Sequence, residues 1–141
     1  MMTEKTATAA AVKAMGMAIG KEQSMSMPGH EGDVSAMPEL IVDSGVCGFV
    51  TKIRTSSEDQ QTVAITYETT CPHAAKARGE LTSIDAYAEL FRKPHETAVY
   101  SALSKYLPHV TCPLYSGFLK AIEAAAGLAL PKDVSMRFTQ P

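Results

Sequence analysis

The chain predicts an α+β fold: an antiparallel β-hairpin plus a C-terminal strand forming a small sheet, covered by about four helices. Three observations carry that expectation. Residues 47–55 and 61–68 alternate apolar and polar side chains with period two. From Pro72 onward the apolar spacing changes to three and four, the period of helices that bury one stripe. A last short stretch, "DVSMRF", returns to period two.

The elements follow in order. Residues 1–38 hold seven of the eight methionines and almost no large β-branched or aromatic residues, the composition of a disordered Met/Ala-rich extension. Residues 39–141 read as a single domain. "ELIVDSG" is a short apolar strand closed by a turn, in which Asp43 is placed to accept backbone hydrogen bonds. "CGFVTKIRT" and "QTVAITYE" form the hairpin, joined by the polar "SSEDQ". Pairing Ile53 with Val63 sets Thr51 against Ile65, Phe49 against Tyr67 and Cys47 against Thr69.

Four helical stretches come next. "PHAAKARGEL" opens on Pro72, a residue suited to the first helical position. "TSIDAYAELF" starts with Thr82 and Asp85 three apart, a variant capping box. "HETAVYSALSKYL" aligns Val99, Ala102, Leu103 and Tyr106 on one stripe. "PLYSGFLKAIEAAAG" buries Leu114, Phe118, Ile122 and Ala125, pairs Lys120 with Glu123 on its surface, and ends at Gly127 with Leu128 as the apolar contact beyond it.

Composition narrows the function classes. The net charge is −2 and no Lys/Arg cluster occurs, so neither nucleic acid nor an anionic membrane surface is an expected partner. The longest apolar run, Ala124 to Leu130, is too short to cross a bilayer. Glu4 interrupts the N-terminal region and no continuous apolar stretch follows, so a secretory signal is not expected. Three cysteines, an odd number, then read as reduced thiols in the cytoplasm.

Those cysteines are the candidate site. In the expected register Cys71 is the diagonal neighbour of Cys47 on the same face, roughly 7 Å away. Cys71 and Cys112 each precede a proline, Pro72 and Pro113, and each is expected to cap a helix start. The unpaired N–H groups and the macrodipole there favour thiolate over thiol, the form that ligates metal. Cys47, Cys71 and Cys112 suit three irons of a [4Fe–4S] cluster, with the fourth open or held by another ligand. Zinc competes: the same three with His73 or His109 make a Cys₃His set. The "MGM" and "MSM" steps of the extension, Met15 to Met17 and Met25 to Met27 with His30, suit Cu(I), but a flexible Met-rich tail accounts for them.

Taken together, "IVDSGVCGFVTKI", the "CP" step after the second strand and "VYSALSKYLPHVTCPLYSGFLKAIEAAAGLALPKDVSM" resemble a small three-cysteine family found mainly in anaerobic bacteria and archaea. The resemblance spans residues 40–138 and brings no established activity with it. It implies a free-standing domain in an anaerobic cytoplasm, where an oxygen-sensitive cluster persists. The leading expectation is therefore a cytoplasmic metal-binding protein, iron–sulfur ahead of zinc, in an electron-transfer or accessory role. One alternative is a thiol enzyme with Cys112 activated by His109. Another is a cofactor-free interaction module, acting with a protein partner or as a homo-oligomer.

Overall fold

The computed structural model describes residues 39–141. The Met/Ala-rich extension, with the Met15, Met17, Met25, Met27 and His30 motifs, lies outside the described residues. Among the described residues the fold is α+β, with four strands and four α-helices. Strands β1 (Glu39–Asp43), β2 (Val50–Ser56), β3 (Thr62–Thr69) and β4 (Ser83–Asp85) form one antiparallel sheet in the order β1-β2-β3-β4. Helices α1 (Pro72–Ala75), α2 (Ala86–Leu90), α3 (Ala98–Ser104) and α4 (Leu114–Ala125) complete the domain.

The hairpin has the expected faces but a different register. Ile53 pairs with Tyr67, not Val63, and Thr51 with Thr69. The turn explains the shift. Asp59 Oδ1 accepts from the backbone N–H groups of Gln61 and Thr62 at 2.9 and 2.8 Å, and Gln60 takes φ +61°. That loop extends β3 past the end of β2, so Thr62 and Val63 pair with β4 instead. An even-numbered slip leaves every side chain on its face. Thr51, Ile53, Thr55, Val63, Ile65 and Tyr67 are all buried on the helix-covered side.

β4 replaces the first turn of an expected helix. Ser83–Asp85 joins the sheet, and Asp85 caps α2 by accepting from Tyr87 and Ala88 N–H at 3.0 and 3.1 Å. The first expected helix is also shorter, since only Pro72–Ala75 is α-helical before turns lead to Gly79. Helix α4 buries the expected stripe: Leu114, Phe118, Ile122 and Ala125 are buried, and Phe118 stands edge-on to Tyr67 at 4.9 Å between ring centroids. Its end is a Schellman motif. Gly127 at φ +75° donates to Ala124 O at 3.1 Å, and Leu128 N–H reaches Glu123 O at 2.9 Å. Gly117 lets α4 approach β1, since a Cβ there would lie 2.7 Å from Val42 Cγ2. Lys120 and Glu123 pair at 3.3 Å on the surface.

The C-terminal stretch departs from expectation. Residues 133–138 do not join the sheet, and from Leu130 to Pro141 the chain carries no regular secondary structure. A tight turn across Pro131, with Lys132 N–H donating to Leu130 O at 2.8 Å, precedes the alternating segment.

Candidate functional site

Cys47, Cys71 and Cys112 come from three separate segments, and each reaches the same end of the sheet by a different local device. Cys47 closes a 3₁₀ turn, Gly45–Cys47, between β1 and β2, three residues before β2 begins, so it lies outside the sheet and Thr69, its expected partner, pairs with Thr51. Gly45 and Gly48 adopt φ +84° and +79°, conformations that strain any L-residue with a side chain. Asp43 Oδ1 accepts from Gly45 N–H at 3.0 Å, and Ser44 N–H donates to Phe49 O at 3.0 Å. This closed loop holds Cys47 in solvent, beside a fully exposed Val46.

Cys71 is buried, at 8% exposure, and caps α1 as predicted: its sulfur accepts from Ala74 N–H at 3.4 Å, with Pro72 following. Its backbone is held by threonines that the sequence did not single out. Thr69 Oγ1 accepts from Cys71 N–H at 3.1 Å and shares a hydrogen bond with Thr51 Oγ1 at 2.7 Å. Thr70 Oγ1 accepts from Val50 N–H at 3.0 Å, tying the end of β3 to the start of β2. In β-sheet sequences threonine is an ordinary strand residue, so only the recurrence "TYETTC" hinted at this cluster.

Cys112 is half-buried. The cap of α4 falls on Pro113, one residue later than expected, but Leu114 N–H still faces the Cys112 sulfur. Sequence reasoning expected both helix starts to lower the thiol pKa. At Cys112 the opposite holds. Burial pushes the thiol up, and the charges of Cys71 and Cys47 push the same way, while the Leu114 N–H and the Ser44 hydroxyl pull down less strongly. Desolvation outweighs the helix end because Cys112 is partly buried against the core. Ser44, three residues before Cys47, is thus a site residue that the "DSGVC" turn had disguised. Tyr115 borders the same place: burial raises its phenol pKa, with Tyr100 and Cys112 adding to the effect.

The electrostatic reach of Cys47 and Cys71 onto Cys112 brings the three thiols into one neighbourhood. They are not drawn tight. Among the described residues no group of three or more His, Cys, Asp or Glu side chains is close enough to hold a single metal ion. The histidines are set apart from the sulfurs' interactions. His109 is exposed, meets Cys112 through its backbone carbonyl, which accepts from Cys112 N–H at 3.2 Å, and its imidazole is not among the groups that shift the thiol. His73 lies half-buried within α1. The contact between Cys112 and His109 is thus a backbone one among the described residues.

Compared with known proteins, residues 38–138 match the model of a family of unknown function, DUF6951. No curated protein and no solved structure matches the chain.

Proposed function

The chain belongs to the DUF6951 family of unknown function, and we propose that it is a small metal-binding protein whose Cys47, Cys71 and Cys112 hold one centre. One observation carries the reading: thiols from a loop, a strand end and a helix start, far apart in sequence, lie at a single end of the sheet, where Cys71 and Cys47 both act on Cys112. No basic side chain appears among the groups acting on Cys112 in the described residues. Ionising three neighbouring thiols without a cation is unfavourable, whereas a metal centre supplies the missing positive charge.

An iron–sulfur cluster fits better than zinc. Sulfurs on one zinc stand roughly 3.5–4 Å apart, given bonds near 2.3 Å in a tetrahedron. A [4Fe–4S] cluster holds its cysteines farther apart, on different irons, which suits thiols that neighbour each other without converging. With three protein ligands, the fourth iron is open to His109, His73 or an external ligand. The role that follows is electron transfer or accessory cluster carriage in an anaerobic cytoplasm.

The test is anaerobic purification of the full chain, reconstitution with iron and sulfide, visible absorption, and iron, sulfide and zinc analysis. Equal iron and acid-labile sulfide, lost in Cys47→Ala, Cys71→Ala and Cys112→Ala, is the expected result. Stoichiometric zinc without sulfide replaces the cluster by zinc. Neither metal in the wild-type chain overturns the proposal.

A further inference from the structure

The three thiols are not equally placed to meet an oxidant, and the path of α4 decides which two stand together. Gly117 packs against Val42, the next-to-last residue of β1, where an added Cβ would lie 2.7 Å from Cγ2. Ala124, farther along the helix, borders a groove with Glu39 and Leu40 at the start of β1. Helix α4 therefore runs beside β1 with its first turn toward the loop that follows Asp43. Cys112 lies just ahead of that turn, and the Ser44 hydroxyl on the loop is a hydrogen-bond partner of its sulfur.

Cys47 belongs to the same loop and is exposed, while Cys112 is half-buried. A Cβ placed at Gly45 or Gly48 would meet nothing within 4 Å, so the loop tip has open space on both flanks of Cys47 and room to lean toward α4. Cys71 acts on Cys112 more strongly than Cys47 does. Its sulfur, however, is committed to Ala74 N–H at 3.4 Å within the core cluster. Burial holds Cys112 in the thiol form, which reacts slowly with peroxide. The first oxidation therefore falls on Cys47.

We propose that, in the metal-free chain, hydrogen peroxide oxidises Cys47 and Cys112 then closes a reversible disulfide with it. Only the consequence rests on the reading of these thiols as ligands: with two of the three sulfurs joined, the centre cannot be held. The Cys47 thiol takes one oxygen from the peroxide O–O bond, giving a sulfenic acid and water. The Cys112 sulfur then attacks that sulfur, the S–O bond breaks, and the hydroxyl leaves as water with the Cys112 proton. Two electrons pass from the pair of sulfurs to the peroxide, and a dithiol reductant returns both thiols.

The experiment exposes the full chain, reduced and stripped of metal by a chelator, to hydrogen peroxide. Free thiols are then blocked and peptides mapped without reductant. The expected result is a single chain lighter by its two thiol hydrogens, a linked Cys47–Cys112 peptide, a free Cys71 and full reversal by dithiothreitol. Cys47→Ser and Cys112→Ser should each lose the crosslink, and Cys71→Ser should keep it. A crosslink through Cys71, a dimer joined through Cys47, or Cys47 driven to sulfinic acid without a crosslink overturns the proposal. Iron and sulfide offered to the oxidised chain should give no cluster absorption until reductant is added; uptake by the crosslinked chain overturns the blockade. The two readings fail separately. Crosslinking in a chain that binds no metal when reduced removes the metal centre alone, and metal uptake by a chain that never crosslinks removes the disulfide alone.

Discussion

Cys71 illustrates how one side chain can serve two purposes that substitution separates. Its sulfur caps α1 through Ala74 N–H, and in the proposed function it is also a ligand. Cys71→Ser keeps an acceptor at the cap, so chemical denaturation should show stability within about 1 kcal/mol of wild type. Cys71→Ala should cost more, up to about 2 kcal/mol. Both should lose the metal centre; a serine variant that retains full metal content would remove Cys71 from the ligand set. Tyr67 sets a different test. It is 4% exposed, donates its hydroxyl to Ala74 O at 2.8 Å, and burial pushes its pKa up to about 12, against a smaller downward pull from Arg78. The folded pKa exceeds the unfolded value of 10.0. Its contribution is therefore complete below about pH 10 and is lost as pH rises through about 12, on the order of 2–3 kcal/mol in all. Circular dichroism should show alkaline destabilisation in that window, and Tyr67→Phe should flatten it. An unchanged pH dependence in the phenylalanine variant would assign the alkaline loss elsewhere.

Helix α4 and its contacts decide whether the sheet and helices stay registered. Replacing Gly117 by alanine gains about 1 kcal/mol of helix propensity but drives a Cβ to 2.7 Å from Val42 Cγ2. Overpacking of this kind costs about 1–3 kcal/mol, so the urea midpoint should fall. Adding Val42→Ala removes the offending methyl and should recover part of the loss, a coupling that independent sites would not show. Between α2 and α3 the buried Glu89 is decisive: its two carboxylate oxygens accept from Ala98 and Val99 N–H at 2.8 and 2.7 Å. Glu89→Gln leaves one of those donors facing an amide NH₂, and a loss of about 1–3 kcal/mol is expected in the same measurement. These contacts also show where sequence reading stops. The stripe of α4 and its Gly127 end were legible because local periodicity and one glycine conformation determine them. So were the faces of β2 and β3, since alternation survives an even-numbered slip. The register was not, because it depends on how Asp59 folds the connecting turn. β4 was read as helix because three residues are too few for a period to assert itself, and Asp85 suits the start of a helix equally well. Nothing local in the sequence singles out Glu89, since its burial depends on α3.

At the scale of the molecule the sequence supplied only local signals for the three cysteines. Parity placed Cys47 and Cys71 on one side, and the Cys-Pro steps marked Cys71 and Cys112 as helix starts. The upward shift at Cys112 was hidden, because it arises from burial against a core assembled from distant parts of the chain. That arrangement leaves the thiols graded from outside to inside: Cys47 exposed, Cys112 intermediate, Cys71 buried. A small alkylating reagent should therefore meet them in that order in the metal-free chain, with peptide mass spectrometry recording Cys47 first and Cys71 only on unfolding. Early modification of Cys71 would contradict the described packing. Under the proposed function the same gradient bears on how a bound centre would leave. If the proposed centre is bound, the outermost sulfur is the one solvent reaches first, so release would begin there while the two sheltered thiols still hold the load.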